Sequence, residues 1–372
     1  MDKTIIDLLN KRRSYKVIIK GDKEEEMTIR NVRGIHINEH HEIMQEIVDA
    51  DIMAVSVGRD GLGSILPLIA KALSKRYERY PLHPLDIILA ENMRNAAVFS
   101  ENILKEHLGN DFPVKKYIGL VETSIGKMVP IMTAEDLEMD PLQIFAEEYN
   151  TLILDRKGFR NPVPDIPWLA PKDNMQAWVD RKSLIHNLGH ASAAYIGFIR
   201  HPEAVFLYEI LEDAEIFNLV QSTMVQSASI LQSMYQGEFT EQELLDHIND
   251  LLHRFMNKAL KDTVFRIGCD LGRKLSKDDR LASAVQEAIC FNMKYDKILY
   301  ALVCGFYFRA KDENGEFHPN DRKFYNNFVS ESDYLLKTYC GFDPLENQDI
   351  FVQAKKYCSD INNQFNPEII IT

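Results

Sequence analysis

Apolar residues in the first part of the chain alternate between runs typical of buried strands and repeats typical of helices. Residues 52–57 (Ile-Met-Ala-Val-Ser-Val) and 85–90 (Leu-Asp-Ile-Ile-Leu-Ala) are near-continuous apolar runs, as in strands that are covered on both faces. Strand–helix–strand alternation with short connections predicts a parallel, doubly wound sheet of the Rossmann-like type. The predicted strands are residues 15–19, 27–37, 52–57, 85–90 and 117–121, and the predicted helices are residues 41–49, 64–77 and 95–108.

A proline-rich segment at residues 161–167 (Asn-Pro-Val-Pro-Asp-Ile-Pro) marks the predicted domain boundary. Beyond it helical periodicity dominates, and no comparable strand pattern occurs until the last residues of the chain. The sequence therefore predicts an α/β domain at residues 1–163, followed by a mostly helical domain at residues 164–372. The predicted helices of this second domain are residues 173–199, 202–211, 219–236, 240–259, 279–292 and 297–309.

Charge and cysteine content narrow the possible partners and compartments. The net charge of -13 argues against nucleic acid or an anionic membrane as partner, because both bind basic surfaces. Five cysteines without a C-x2-C pair form neither a disulfide framework nor a zinc signature, so we expect a reduced, cytoplasmic, metal-free protein. We also expect no signal peptide and no transmembrane span, since no apolar run approaches the roughly 18 residues that a span requires. A monomer or weak dimer that acts on a small molecule is the expectation.

Lys182, Asn187 and His190 are the candidates for chemistry, at the spacing K-x4-N-x2-H within a predicted helix. At about 100° per residue, Asn187 lies roughly 140° and His190 roughly 80° around the helix from Lys182, so the three share one side. Such a trio is more often solvated surface than a site. A lysine in an apolar helix, however, either extends to water or is held in a cleft. The flanking residues here are apolar: Leu184, Ile185, Leu188, Ala191, Ala193, Ala194 and Ile196.

Residues 173–197, which contain this motif, resemble the polyol-specific long-chain dehydrogenases, the mannitol dehydrogenase family. The resemblance implies a metal-independent oxidoreductase that uses NAD. It implies that Lys182 is the general base, that His190 orients the substrate hydroxyl, and that Asn187 and Asn92 form a two-donor oxyanion hole. An ordinary lysine pKa of about 10.4 is too high for such a base, so the site has to lower it.

The dinucleotide-binding part departs from the family pattern, because no G-x-G-x-x-G occurs anywhere in the chain. Residues 4–17 resemble the family segment that follows its second strand. We therefore expect the sequence as given to lack the first strand and the glycine-rich turn, leaving the sheet incomplete at its start. The resemblance leaves Val57 and Gly58, after one buried strand, and Glu91 and Asn92, after the next, as the residues that bind NAD. From the residues alone, Glu91 and Asn92 are a helix N-cap.

Arg273, Lys274 and Arg309 are the candidates for substrate binding. The first two lie in a charged block, residues 273–281, that also resembles the family but is typical of a solvated turn. The resemblance is greatest to the branch that interconverts mannitol 1-phosphate and fructose 6-phosphate, in which these cations would bind phosphate. Gly126 stands where the family commonly has an aspartate, so the reaction type is better defined than the substrate.

Two further functions stay open at this point. Within the enzyme class, the alternative is a mannitol 2-dehydrogenase or a hexuronate (fructuronate or tagaturonate) reductase. From another class, the alternative is a non-catalytic remnant that is unable to bind the dinucleotide, which the missing glycine-rich turn favours and the intact Lys182, Asn187 and His190 disfavour.

Overall fold

Two units make up the chain in the computed structural model, which describes residues 3–21, 23–91, 93–327 and 332–364. Contacts divide it between Val179 and Asp180. This division lies later than the proline-rich segment predicted as the boundary, because Leu169–Lys172 adds one more strand to the sheet of the first unit.

Among the described residues of the first unit, eight strands and six α-helices precede its last helix. The strands are β1 Ser14–Ile19, β2 Glu25–Arg30, β3 Ile52–Val55, β4 Leu85–Leu89, β5 Ile118–Ile125, β6 Ile144–Ala146, β7 Leu152–Asp155 and β8 Leu169–Lys172. The helices are α1 Lys3–Arg12, α2 His40–Asp49, α3 Gly58–Arg79, α4 Ala96–Leu108, α5 Val114–Tyr117 and α6 Ala134–Met139. Helix α7, Met175–Arg181, runs across the division into the second unit.

The main sheet has the strand order β3-β4-β5-β7-β8. Strands β3, β4 and β5 are parallel, as the alternating pattern predicts, and α3 and α4 supply the crossovers between them. Strand β7, which the sequence did not predict, is antiparallel to β5, and the predicted strands near residues 15–19 and 27–37 pair antiparallel in a separate sheet, so the sheet structure of this unit is mixed. The reason is that the chain between β5 and β7 contributes only the short α6 and then β6, which pairs with β1 in a separate three-stranded sheet of order β2-β1-β6.

Side-chain burial changes across the main sheet. All five residues of β4 are buried, as its apolar run predicts, and α3 and α4 pack over them. Strand β3 lies at the end of the described sheet, and its Ile52 is 40% exposed although its residues are mostly apolar. The predicted strand at residues 27–37 ends at Arg30, because Asn31 has a φ of 59° that a strand does not allow.

The second unit is mostly helical in its described residues, with one isolated antiparallel bridge between Phe206 and Thr263. A π-helical turn, Lys182–Asn187, follows α7 without a break and leads into α8. The helices are α8 Leu188–Arg200, α9 Leu207–Leu211, α10 Ala214–Met234, α11 Glu241–Phe255, α12 Val264–Gly268, α13 Leu271–Lys274, α14 Arg280–Cys290, α15 Asp296–Phe306, α16 Asp321–Asn327, α17 Ser332–Thr338 and α18 Gln348–Gln364. The strand pattern noted at the end of the sequence lies outside the described residues.

Helix α8 is the core of the second unit, with α10 and α15 packed against it. All its residues from Leu188 to Ile199 are buried except His190, which is half-buried. Gly189 allows the close approach of α10, since a Cβ atom there would lie 2.5 Å from the sulfur of Met224. The apolar flanks that set the motif apart in the sequence therefore serve as the packing surface of this helix. Among the described residues, none of the helices combines the length and apolar character needed to cross a membrane.

Candidate active site

Lys182 and Asn187 are the first and last residues of the π-helical turn. Within it the backbone N–H of Leu188 donates to the carbonyl of Ser183, five residues earlier. The α-helical estimate of roughly 140° between Lys182 and Asn187 is therefore wrong, because a turn closed by i→i+5 bonds stacks residues five apart on one side. The hydroxyl of Ser227 on α10 donates to the carbonyl of Leu184 at 2.5 Å and ties the turn to the core.

Lys182 is half-buried, and its pKa is lowered from 10.5 to about 8. Burial is the larger cause, because it disfavours the charged ammonium, and the nearby cation of Arg280 adds to it. This is the shift that the sequence-based hypothesis of a general base requires. A lysine with this pKa is partly neutral near pH 8 and can accept a proton.

Arg280 contributes a fixed positive charge next to the π turn. Its Nε donates to Asp279 at 2.6 Å, and its Nη1 lies 3.4 Å from the carbonyl oxygen of Asn187 as a donor. The side chain is nearly buried, so its charge is poorly screened by water. Arg280 therefore links the first turn of α14 to Asn187 at the end of the π turn, and its charge acts on Lys182 at the beginning of the turn.

His190 lies one turn beyond Asn187, on α8. Its Nε2 atom is 2.9 Å from Oδ2 of Asp262, and its ring stacks on Phe255 with the ring centroids 4.5 Å apart and an interplanar angle of 8°. The ring of His186 lies 6.0 Å away. Burial lowers the pKa of His190, although the hydrogen bond to Asp262 opposes this. At neutral pH the imidazole is therefore neutral and can accept a hydrogen bond on its other nitrogen.

His186 is buried, and the pKa of its side chain is lowered well below 6.5 by burial and then by His190. Its ring packs at 5.7 Å from that of Phe255. These contacts make His186 a packed core residue beside the motif.

The cofactor candidates of the first unit meet at the carboxyl ends of β3 and β4. Oε1 of Glu91, which is 6% exposed, accepts the backbone N–H groups of Val57 at 2.6 Å and of Gly58 at 3.1 Å. Gly58 has a φ of 77°, and the space that a Cβ atom would point into is open. In open α/β sheets, dinucleotides bind at this edge, so the turn fits the approach of a cofactor. Asn92 lies outside the described residues.

Arg273 and Lys274 lie on the short helix α13. The Nε of Arg273 donates to Asp270 at 2.5 Å, and the guanidinium is half exposed. Lys274 is buried, and its Nζ donates to the carbonyl of Ile267 at 2.6 Å. Burial lowers the pKa of Lys274 to about 8. Both cations are thus engaged by groups of the second unit itself.

Arg309 lies beyond the end of α15, three residues past Phe306. Its Nη1 donates to the carbonyls of Phe306 at 2.9 Å and of Phe308 at 2.7 Å. Its guanidinium lies 4.1 Å from the ring centroid of Tyr325 on α16. Burial lowers the pKa of Arg309 to about 10. As with Lys274, carbonyl oxygens of the chain already surround this cation.

Asp262 and Arg280 are neighbours of the motif that the sequence interpretation did not single out. Both fall in or beside blocks that resemble the family, residues 260–268 and 273–281, so the signal was present there. What the sequence did not indicate is that the turn before α12 and the start of α14 are packed beside α8 and the π turn.

Comparison with known proteins adds the family and the fold. A model described as the mannitol dehydrogenase Rossmann domain matches residues 1–168, and one described as the mannitol dehydrogenase C-terminal domain matches residues 174–340. A D-sorbitol dehydrogenase in substrate-free form is similar over 96% of this chain and 84% of its own, with a TM-score of 0.78 and 15% identity. The mannitol 2-dehydrogenase of Pseudomonas fluorescens, solved with NAD and D-mannitol, is similar over 98% and 84%, with a TM-score of 0.73 and 15% identity.

Proposed function

Because the chain belongs to the mannitol dehydrogenase family, we propose that it oxidises a secondary alcohol of a polyol to a ketone, and catalyses the reverse reduction, with Lys182 as the general base. It is an NAD-dependent oxidoreductase that acts on a CH–OH group. The observation that carries the role of Lys182 is its place at the start of the π turn, where burial and the nearby cation of Arg280 together lower its pKa to about 8. The activity of the family and the lowered pKa of Lys182 both support this oxidation of an alcohol to a ketone.

The side chains of the motif divide the work of this reaction. The neutral amine of Lys182 takes the proton of the substrate hydroxyl, and in the reductive direction its ammonium returns that proton. The amide of Asn187, stacked on the same side of the π turn, donates a hydrogen bond to the oxygen as negative charge develops on it. The imidazole of His190 accepts the hydrogen of a substrate hydroxyl and orients it.

Val57, Gly58 and Glu91 would hold part of the NAD molecule. When bound, NAD supplies the acceptor of the hydride that leaves the alcohol carbon. Gly58 brings the main chain to the surface without a side chain, and Val57, which is 49% exposed, offers an apolar contact. Glu91 holds the turn in place through the two backbone N–H groups that it accepts.

The substrate is either phosphorylated or unphosphorylated, and each possibility has support. Mannitol 1-phosphate, with fructose 6-phosphate as the ketose, is supported by the similarity of the motif segments to that branch of the family. Unphosphorylated mannitol, or a hexuronate, is supported by the engagement of Lys274 and Arg309 with carbonyl oxygens and of Arg273 with Asp270, because a phosphate needs cations that can turn towards it. Similarity to the fold of a mannitol 2-dehydrogenase supports the second form as well.

Reduction assays on this protein test the proposal. Fructose 6-phosphate, fructose and fructuronate are each offered with NADH, and the preferred substrate is the one with the highest kcat/KM. The Lys182→Ala variant should lose at least about a hundredfold in kcat on that substrate, the usual scale for a general base. If none of the three substrates is reduced, a non-catalytic remnant is favoured. An active Lys182→Ala variant would exclude Lys182 as the base.

A further inference from the structure

Two residues outside the K-x4-N-x2-H motif hold the side chain of His190. Asp262, just before the start of α12, lies 2.9 Å from its Nε2 atom, and Phe255, at the end of α11, covers its ring face. A ring held at its face and at one nitrogen has a single orientation. The remaining nitrogen, Nδ1, is then the one left to meet a ligand.

Asp262 is itself fixed more firmly than a surface carboxylate. Its side chain is 7% exposed, and its Oδ1 atom accepts the Nε–H of Arg266 at 2.9 Å together with a second, shorter bond from Nη2. Its backbone carbonyl accepts the N–H of Leu207 at 2.9 Å. The two oxygens are therefore divided, with Oδ1 facing Arg266 and Oδ2 facing His190.

This arrangement keeps the carboxylate charged. Burial by itself raises the pKa of Asp262, but the hydrogen bond to His190 and the charge of Arg266 outweigh burial, so the pKa lies below its ordinary value. A charged carboxylate only accepts hydrogen bonds, so a hydrogen shared at this 2.9 Å contact comes from Nε2 of His190; in this structure the two atoms are in ion-pair contact without hydrogen-bond alignment.

Given the proposed function, we infer that Asp262 is a positioning residue that fixes the tautomer of His190. By accepting the hydrogen of Nε2 it leaves Nδ1 without a hydrogen, so that Nδ1 accepts the hydrogen of a substrate hydroxyl. Arg266 holds Asp262 in place by occupying its other oxygen. A substrate hydroxyl at this position is therefore bound as a hydrogen-bond donor.

In a catalytic triad, a carboxylate orients an imidazole and sets its tautomer, and Asp262 would act on His190 in the same way. Loss of such a partner typically costs tenfold or more in activity, because a fraction of the imidazole then carries its hydrogen on the wrong nitrogen. Asp262→Ala removes the acceptor. Asp262→Asn keeps an oxygen of similar position but loses the charge and turns a donor towards Arg266 or His190.

A double-mutant cycle separates positioning from a general structural role. In the full chain, Asp262→Ala should lower kcat for the preferred substrate at least about tenfold, with the KM for NADH unchanged. In the His190→Ala background the same change should alter kcat less than about twofold, because the residue through which it acts is gone. Equal losses in both backgrounds would overturn the inference. Asp262→Asn, expected between wild type and Asp262→Ala, keeps the test valid if the alanine variant fails to fold.

Asp213 provides a matched control. Its Oδ2 lies 3.1 Å from Nε2 of His201, a more exposed histidine–aspartate pair that is remote in sequence from the motif. Asp213→Ala should leave kcat unchanged although it removes a carboxylate from a histidine. A loss equal to that of Asp262→Ala would show that the effect comes from removing any such pair.

A measurement on the histidine ring keeps this inference distinct from the proposed function. With 15N-labelled histidine, and His190 assigned by the loss of its signals in His190→Gln, the ring nitrogens should report one tautomer with the hydrogen on Nε2. Asp262→Ala should convert it to a mixture of tautomers. An unchanged spectrum would refute the role of Asp262 even if the enzyme is active, whereas the expected spectrum in a protein inactive on every polyol would reject only the proposed function.

Discussion

We expect the Lys182→Met variant to be more stable than the native protein at pH 7, although it should lack the general base. The folded protein lowers the pKa of Lys182 from 10.5 to about 8, mainly by burial. That difference of about 2.5 pH units corresponds to about 3 kcal/mol of unfavourable free energy for the charged form. Because the side chain is only half-buried and water screens part of its charge, we expect a measured gain of about 1 to 3 kcal/mol. Methionine fills a similar volume without charge.

The pH dependence of the gain identifies its origin. The folded pKa lies below the unfolded pKa, so the cost of holding the ammonium is complete below pH 8, and it vanishes as the pH rises through 10.5. The difference in the free energy of unfolding between Lys182→Met and the native protein should therefore be largest at pH 7 and shrink towards pH 10. A stability–activity trade-off of this kind is typical of a strained active site.

Urea unfolding followed by circular dichroism at pH 7 and pH 10 measures both quantities. Lys337→Met, which changes an exposed lysine on α17, is the control and should shift stability by less than about 0.5 kcal/mol at either pH. If Lys182→Met were less stable than the native protein by the same amount at both pH values, then its ammonium is not destabilised by the site, and the argument for a lowered pKa fails.

Three further predictions follow from the described contacts. The rate of polyol oxidation should rise with an apparent pKa of about 8, and Arg280→Gln should move that pKa upwards because a cation that lowers the pKa of Lys182 is removed; an unmoved pH–rate profile would contradict this. If Arg309 binds the phosphate, Arg309→Gln should raise the KM for fructose 6-phosphate about tenfold and leave the KM for fructose unchanged. Equal effects on both KM values in steady-state assays would exclude a phosphate contact. Gly58→Ala should lower the free energy of unfolding by about 1 kcal/mol and weaken NADH binding in calorimetric titration, because a φ of 77° strains any residue with a Cβ atom; Gly63→Ala, inside α3, is the control and should leave NADH binding unchanged while raising the free energy of unfolding by about 0.5 to 1 kcal/mol.

The sequence predicted most elements that short-range pattern determines. The strands β3 and β4 and the helix around the motif lie where they were expected. The reason is that the spacing of apolar residues within a short segment depends on whether both faces of a strand or one side of a helix are buried. The family and its two-domain fold also followed from residues 173–197 and the blocks near 260–281.

What the sequence did not predict depends on distant partners. The antiparallel β7 arises because β6 joins another sheet, and the helical pattern at residues 202–211 yields only α9, Leu207–Leu211. The π turn depends on packing, including the hydroxyl of Ser227 on α10, and the orientation of His190 depends on Asp262. Local propensity contains no information on such contacts, so the candidate residues could be named but their geometry could not.

The π turn also bears on how this protein tolerates changes in length. Residues Lys182 to Asn187 contain one more residue than an α-helical path between the same ends would use. Removing one residue there would let the segment relax to α geometry between the same ends, so that α8 keeps its orientation. Because α8 is buried along almost all of its length, the core would hold it in place, and the change would fall on the turn itself, where Lys182 and Asn187 would be four residues apart instead of five. A single-codon deletion in this stretch is therefore expected to yield a folded protein whose base no longer faces its partners, a route by which an enzyme of this architecture can become a binding protein.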